Sequence, residues 1–188
     1  MIKEKYPKFQ LDHDYYEKAL STDSINLVIL GRDPYPNGAV SIPFLKQSWS
    51  GIKKGSAGYN LFLSLFGCIP SEKYLTPQEC AFALLEAGIV LLNASYNYLN
   101  NETISRTRHL LYISEAREVN LPILERAKTI LACGDAYSML GMVATLDGTV
   151  KKIPHPSTQS RNSPSTDKKL WDVYWCRHML NKAFKSDS

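Results

Sequence analysis

This chain is poor in the residues that build metal centres, disulfide frameworks and membrane anchors. Its 188 residues include 4 cysteines and 4 histidines. Cys68, Cys80, Cys133 and Cys176 are scattered, without the close pairing of a zinc or iron–sulfur site, and His13, His109, His155 and His178 add no ligand cluster. The expectation is reduced, mostly buried thiols, no metal, no iron–sulfur cluster and no cofactor. Long apolar runs are missing as well: nothing approaches the ~20 apolar residues needed to span a bilayer, so no membrane association is expected. The opening Met1-Ile2-Lys3-Glu4-Lys5 is polar and has no signal-peptide apolar region, which points to a cytoplasmic, intracellular protein, whether bacterial, viral or nuclear. Internal repeats, low-complexity blocks and long linkers are absent, so residues 1–188 read as one domain.

What is present is an ordinary globular composition, 44% apolar and 21% charged, in a chain long enough to bury a core. The net charge of +4 is unevenly spread. Residues 151–188 hold 8 Lys/Arg against 3 Asp/Glu, a net +5, while the rest holds 14 against 15, a net −1. A basic C-terminal fifth suits an anionic partner such as nucleic acid, and equally a solvated helix face. The apolar runs Ile25–Leu30, Ile89–Leu92, Thr129–Cys133 and Thr149–Ile153 read as strands. Helices are expected near Asp12–Leu20, Tyr59–Phe66, Thr76–Ala87, Ser105–Val119, Asp135–Leu146 and Asp167–Ala183. The third has Pro77 just inside its start and Gly88 beyond its end, and the last an apolar face of Leu170, Val173, Tyr174 and Leu180. Strands alternating with helices give parallel βαβ units. The expected fold is therefore α/β, a three-layer α/β/α sandwich around a central four-stranded, mostly parallel sheet.

Ligands of open α/β sheets bind beyond the carboxyl ends of the strands, so the loops there carry the chemistry. After the first strand, Gly31-Arg32-Asp33-Pro34-Tyr35-Pro36 projects a carboxylate held stiff by Pro34, or else opens an ordinary Asp-Pro turn. Tyr35 and Phe44 bracket the glycine-containing remainder of that loop. They either cap the core or stack on a flat ligand, which contributes roughly 1–3 kcal/mol per nucleobase. After the second strand, Asn93 offers a donor and an acceptor on one planar group, suited to a base edge or to a helix cap. After the fourth, Pro154-His155-Pro156-Ser157-Thr158-Gln159-Ser160-Arg161 holds an imidazole between two prolines, with hydroxyls and a guanidinium suited to phosphate. The Ser50–Gly58 stretch is rich in Gly, Ser and Lys but lacks the Gly-Lys-Ser/Thr of a Walker loop, so nucleotide hydrolysis has little support.

Taken in order from residue 25 to about 161, these motifs resemble the uracil-DNA glycosylase superfamily, closest to its family 1 pattern. Gly31–Pro36 looks like the water-activating motif usually written GQDPYH, and Ile42-Pro43-Phe44 like the segment bearing the base-stacking phenylalanine. Leu91-Leu92-Asn93-Ala94 is similar to the strand end with the pyrimidine-reading asparagine, and His155-Pro156-Ser157 to the HPSP motif. Arg32 stands in place of the usual glutamine and Pro36 in place of histidine, the 33–44 loop is short, and Thr158-Gln159 occupies the position of the usual Pro-Leu wedge. The cysteine pattern of the superfamily's iron–sulfur members is absent.

The resemblance implies a monomeric, monofunctional DNA glycosylase of base-excision repair, a hydrolase that flips a base from damaged DNA and leaves an abasic site. Asp33 would position water and stabilise the cationic sugar, and His155 would stabilise the departing pyrimidine anion. Asn93 would read the base, Phe44 would stack on it, and Tyr35 would obstruct a C5 methyl. Ser56, Ser157, Gln159 and Arg161 would meet the DNA. Two other readings stay open. One is a glycosylase of the same fold for a modified pyrimidine, such as hypermodified cytosine in viral DNA. The other is a DNA-binding module that has lost catalysis.

Overall fold

The computed structural model describes residues 9–34, 40–97, 105–140 and 149–180. Four strands, β1 (Ile25–Gly31), β2 (Ile89–Asn93), β3 (Ala127–Cys133) and β4 (Thr149–Ile153), form one sheet in the order β2-β1-β3-β4. Every pairing is parallel. β1 sits inside the sheet with Leu27, Val28, Ile29 and Leu30 fully buried, as a continuous apolar run covered on both faces requires. β4 lies at an edge, where Lys151 and Lys152 remain in solvent. At the opposite edge, the Tyr15 hydroxyl accepts the Leu91 N–H at 2.9 Å, covering a donor that edge strand would otherwise leave unpaired.

The helices begin where their capping residues lie. Asp12, Ser56, Thr76 and Ser105 cap α1 (His13–Ser21), α2 (Ala57–Phe66), α3 (Pro77–Glu86) and α4 (Arg106–Leu124). A 3-10 turn over Gly134–Ala136 leads into α5 (Tyr137–Leu140). Ser157 caps α6 (Thr158–Arg161), and Asp167 caps α7 (Lys168–Trp175). Helices α1, α3 and α4 pack together, and α2 packs on α7, giving the layers of the expected sandwich. None of the described helices is long and apolar enough to cross a membrane.

Three expectations need correcting. Helix α4 does not stop at Val119 but runs through Pro122 to Leu124. Ile123 and Leu124 are fully buried, and their burial outweighs the hydrogen bond that proline forfeits in the last turn. The helix expected over Asp135–Leu146 opens as a 3-10 turn and is described as α-helix to Leu140, its remainder lying outside the described residues. Helix α7 ends at Trp175, where Cys176 turns extended. Its buried face is Trp171 and Trp175, whereas Leu170 and Val173 are 39% and 51% exposed. The two indoles bury more apolar area than the smaller side chains and have polar N–H groups to satisfy, so they take the inner face.

Candidate active site

The loops after β1, β3 and β4 and the last residue of β2 converge on a cleft of about 810 Å³ whose lining includes Asp33, Phe44, Asn93, Asp135, His155 and Gln159. The floor is built around Gly31 and its strand neighbour Asn93, directly opposite it in the β1–β2 register. A Cβ on Gly31 would lie 2.7 Å from Asn93 Oδ1 and 3.0 Å from Phe44 Cζ, so glycine lets the amide and the ring close over the strand end. Asn93 is 3% exposed, and among the described residues its side-chain amide has no hydrogen-bond partner. Its backbone carbonyl accepts the Asn120 amide at 2.8 Å, and Asn120 Oδ1 accepts the Tyr96 hydroxyl at 2.6 Å. This buried chain fixes the strand end from behind. Phe44 adopts a left-handed φ of 67°. Its carbonyl packs so closely on Gly58 that a Cβ there would meet it at 2.1 Å, which holds the strained turn against α2.

Asp33 is fixed by its neighbours in sequence and in space. The carbonyls of Gly31 and Arg32 accept the N–H groups of Ala94 and Ser95 at 2.8 and 2.9 Å, extending the β1–β2 pairing to the base of the loop. Arg32 Nε donates to Asp33 Oδ1 at 2.8 Å and Oδ2 at 3.1 Å, while its Nη1 lies 3.6 Å from Asp135 Oδ2. The bond to Asp33 raises the proton affinity of the guanidinium further, so Arg32 is a permanent cation.

His155 comes from the loop after β4, its ring centroid 6.5 Å from that of Phe44. The carbonyls of three consecutive residues in its loop are each held by a side-chain N–H. Trp175 Nε1 donates to Pro154 at 2.8 Å, Trp171 Nε1 to His155 at 3.0 Å, and Asn60 Nδ2 to Pro156 at 2.7 Å. Nδ1 of His155 lies 3.3 Å from the Ser157 backbone nitrogen and 3.1 Å from Ser157 Oγ. A backbone N–H can only donate, so Nδ1 accepts and the neutral ring carries its proton on Nε2. Burial, and then the charge of Arg32, hold the imidazole below its ordinary pKa against the opposing pull of Asp33 and Asp135. The ring is thus kept neutral with one N–H to donate.

The structure sorts the other candidate residues. Ser157 and Gln159 line the cleft with the groups above, and Ser157 also caps α6 by accepting the Ser160 N–H. Ser56 caps α2 through the Tyr59 N–H. Ser56 and Arg161 are not part of the cleft lining, although Ala57 is. Arg161 pairs with both oxygens of Asp172 at 2.9 and 3.2 Å and lies over the Trp171 ring, so a phosphate contact would require breaking that pair. Tyr35 lies outside the described residues. Sequence reasoning passed over the Trp171–Trp175 clamp, Asn60, and Lys152, which reaches the cleft with its ammonium 5.7 Å from the Tyr137 ring centroid. The four-residue spacing of the tryptophans was the available signal, and it was overshadowed by the leucines and valine around them. Cys133 also lines the cleft, but burial pushes its thiol up and keeps it protonated, which removes it as a nucleophile.

A parallel α/β sandwich with its polar groups gathered at the carboxyl edge of the sheet defines the class. Among solved structures, two variants of the mimivirus uracil-DNA glycosylase UNG, each crystallised in complex with UGI, share this architecture. One superposes with a TM-score of 0.55 at 18% identity, covering 84% of this chain and 61% of that one. The other gives 0.53 at 17%, covering 77% and 56%. This chain therefore spans about three-fifths of the length of those proteins. No sequence family and no curated protein sequence matches it. The fold is that of the uracil-DNA glycosylases.

Proposed function

We propose that this protein is a DNA glycosylase that hydrolyses the N-glycosidic bond of a flipped-out uracil, or a closely related pyrimidine, and leaves an abasic site. The observation that carries this reading is that a carboxylate, a buried amide, a neutral imidazole and an aromatic ring, drawn from the end of β2 and the loops after β1 and β4, share one cleft. A base stacked in a duplex is out of reach, so it must be extruded at a cost of a few kcal/mol. As the bond to the sugar breaks, the base leaves with the electron pair. His155 Nε2–H donates to the developing oxyanion on the pyrimidine, and one preorganised donor of this kind typically contributes ~2.7–4 kcal/mol. Asp33 orients water toward the anomeric carbon and stabilises the cationic sugar. Asn93 reads the base edge and Phe44 stacks on it. Ser157 and Gln159 meet the strand at the cleft mouth. Water supplies the hydroxyl of the abasic sugar and its remaining proton goes to the base, so no covalent enzyme intermediate is needed.

A second reading keeps this chemistry and enlarges the base. The cleft is in the size range of whole small-molecule sites, roughly 300–1,000 Å³, and its lining also includes Ser160, Ser163, Ser165 and Thr166. Those hydroxyls suit a polar substituent on the pyrimidine as well as the nucleotide's own sugar and phosphate. One panel separates the readings: duplexes containing U, T, C or modified cytosine, incubated with the protein and then treated with alkali. Cleavage at U supports the proposal, and cleavage at modified cytosine alone supports the second reading. Intact DNA throughout refutes both. An arm without alkali tests the monofunctional assignment, because strand scission there would mean that an amine such as Lys152 attacks the sugar.

A further inference from the structure

We propose that Arg32 is a positioning residue, tying the Asp33 carboxylate to Asp135 across the cleft mouth and balancing both acids beside His155. This rests on the proposed glycosylase reading for its kinetic consequences, though not for its geometry. Arg32 follows β1 and Asp135 lies in the turn after β3; the two strands are neighbours, with Leu30 opposite Ala132, so their loops emerge side by side. The Arg32 backbone is pinned through its carbonyl to the Ser95 N–H, and Pro34 restricts Asp33 from the other side. From that fixed base one nitrogen, Nε, spans both Asp33 oxygens at 2.8 and 3.1 Å, which sets the plane of the carboxylate. Nη1 remains within ion-pair distance of Asp135 at 3.6 Å.

Stability alone does not account for this arrangement. Arg32 is 48% exposed and Asp135 76% exposed, and exposed pairs of this kind add little to folding. The arrangement does affect the site, since all three residues line the cleft. Among the described residues, the charged groups that share the cleft with His155 are Arg32 and Asp33 after β1, Asp135 after β3, Lys152 on β4 and Asp167 at the start of α7. Without Arg32, the pull of the two acids on the imidazole would be opposed by burial but no longer by the guanidinium charge, which favours protonation, and Asp33 would lose the bonds that orient it. Lysine would restore the charge but not the two-point tie, because its single nitrogen cannot hold Asp33 through one fixed N–H and reach Asp135 through another as the planar guanidinium does.

The test uses the full chain with Arg32→Gln and Arg32→Lys, read in two independent ways. Single-turnover excision at saturating enzyme, on the base the panel identifies, should fall roughly 10- to 100-fold in both variants, the loss expected for a charge-assisted hydrogen bond to a reacting group. The His155 Hε1 titration, followed by NMR in the free protein and assigned with His155→Asn, should shift to higher pH in Arg32→Gln and less in Arg32→Lys. Wild-type excision by Arg32→Lys overturns the positioning role, and an unmoved His155 midpoint in Arg32→Gln overturns the charge balance. If the wild-type protein releases no base at all, the glycosylase reading fails while the titration still decides the fate of Arg32.

Discussion

Replacing Gly31 by alanine adds one methyl group at the point where the floor of the cleft is tightest. The new Cβ would sit 2.7 Å from Asn93 Oδ1, closer than such atoms approach in folded proteins, and 3.0 Å from Phe44 Cζ, tighter than nearly all such contacts. Strand β1 cannot retreat, because it is hydrogen-bonded to β2 on one side and β3 on the other. The relief must therefore come from the Asn93 amide and the Phe44 ring, the two groups assigned to the base. Phe44 is poorly placed to yield, with a left-handed φ of 67° and its carbonyl against Gly58. Overpacking of this kind costs about 1–3 kcal/mol, which for a chain of this length lowers the melting temperature by roughly 2–12 °C. Single-turnover excision at a temperature where the variant is fully folded should fall by more than the melting shift explains, since both displaced groups lie in the cleft. An alanine variant with an unchanged melting temperature and normal excision would refute the close packing of strand, amide and ring on which the base-binding assignment stands.

Asp33→Asn should cut single-turnover excision heavily while leaving DNA binding nearly intact, as measured by fluorescence anisotropy beside a kinetic assay; near-normal excision would remove Asp33 from its role. Trp171→Phe leaves the His155 carbonyl without its donor, a loss of about 1–3 kcal/mol by chemical denaturation, with slower excision as the loop loosens. Because the folded-state pKa of His155 lies below its unfolded value, the unfolded chain binds more protons there, so this group's contribution to stability is present above the ordinary histidine range and lost as pH falls through it. Denaturation midpoints taken from about pH 7.5 to 5 should fall accordingly, with a smaller fall in His155→Asn.

Much of the architecture could be read from local pattern. The run Ile25–Leu30 is strand in the structure because Ile25 and the successive apolar residues Leu27–Leu30 suit burial on both faces, and Thr76-Pro77 opens α3 as a cap followed by a proline should. The end of α4 could not be read this way, because local rules stop a helix before Pro122 and only the burial of Ile123 and Leu124 carries it onward. The face of α7 was misjudged for a related reason: two periodic apolar sets compete on that helix, and contacts from β4 and α2 decide between them.

The strand segments themselves, the capped helix starts and the positions of Asp33, Asn93 and His155 at or just past the carboxyl ends of strands were written in neighbouring residues, where steric and capping preferences act over a few bonds. The strand order β2-β1-β3-β4, the engagement of Arg32 with Asp33 and of Arg161 with Asp172, and the three donors on the 154–156 carbonyls belong to the folded chain alone. Those partners lie up to 96 residues apart, as Asn60 and Pro156 do. Which side chains meet at such separations is set by how the layers pack.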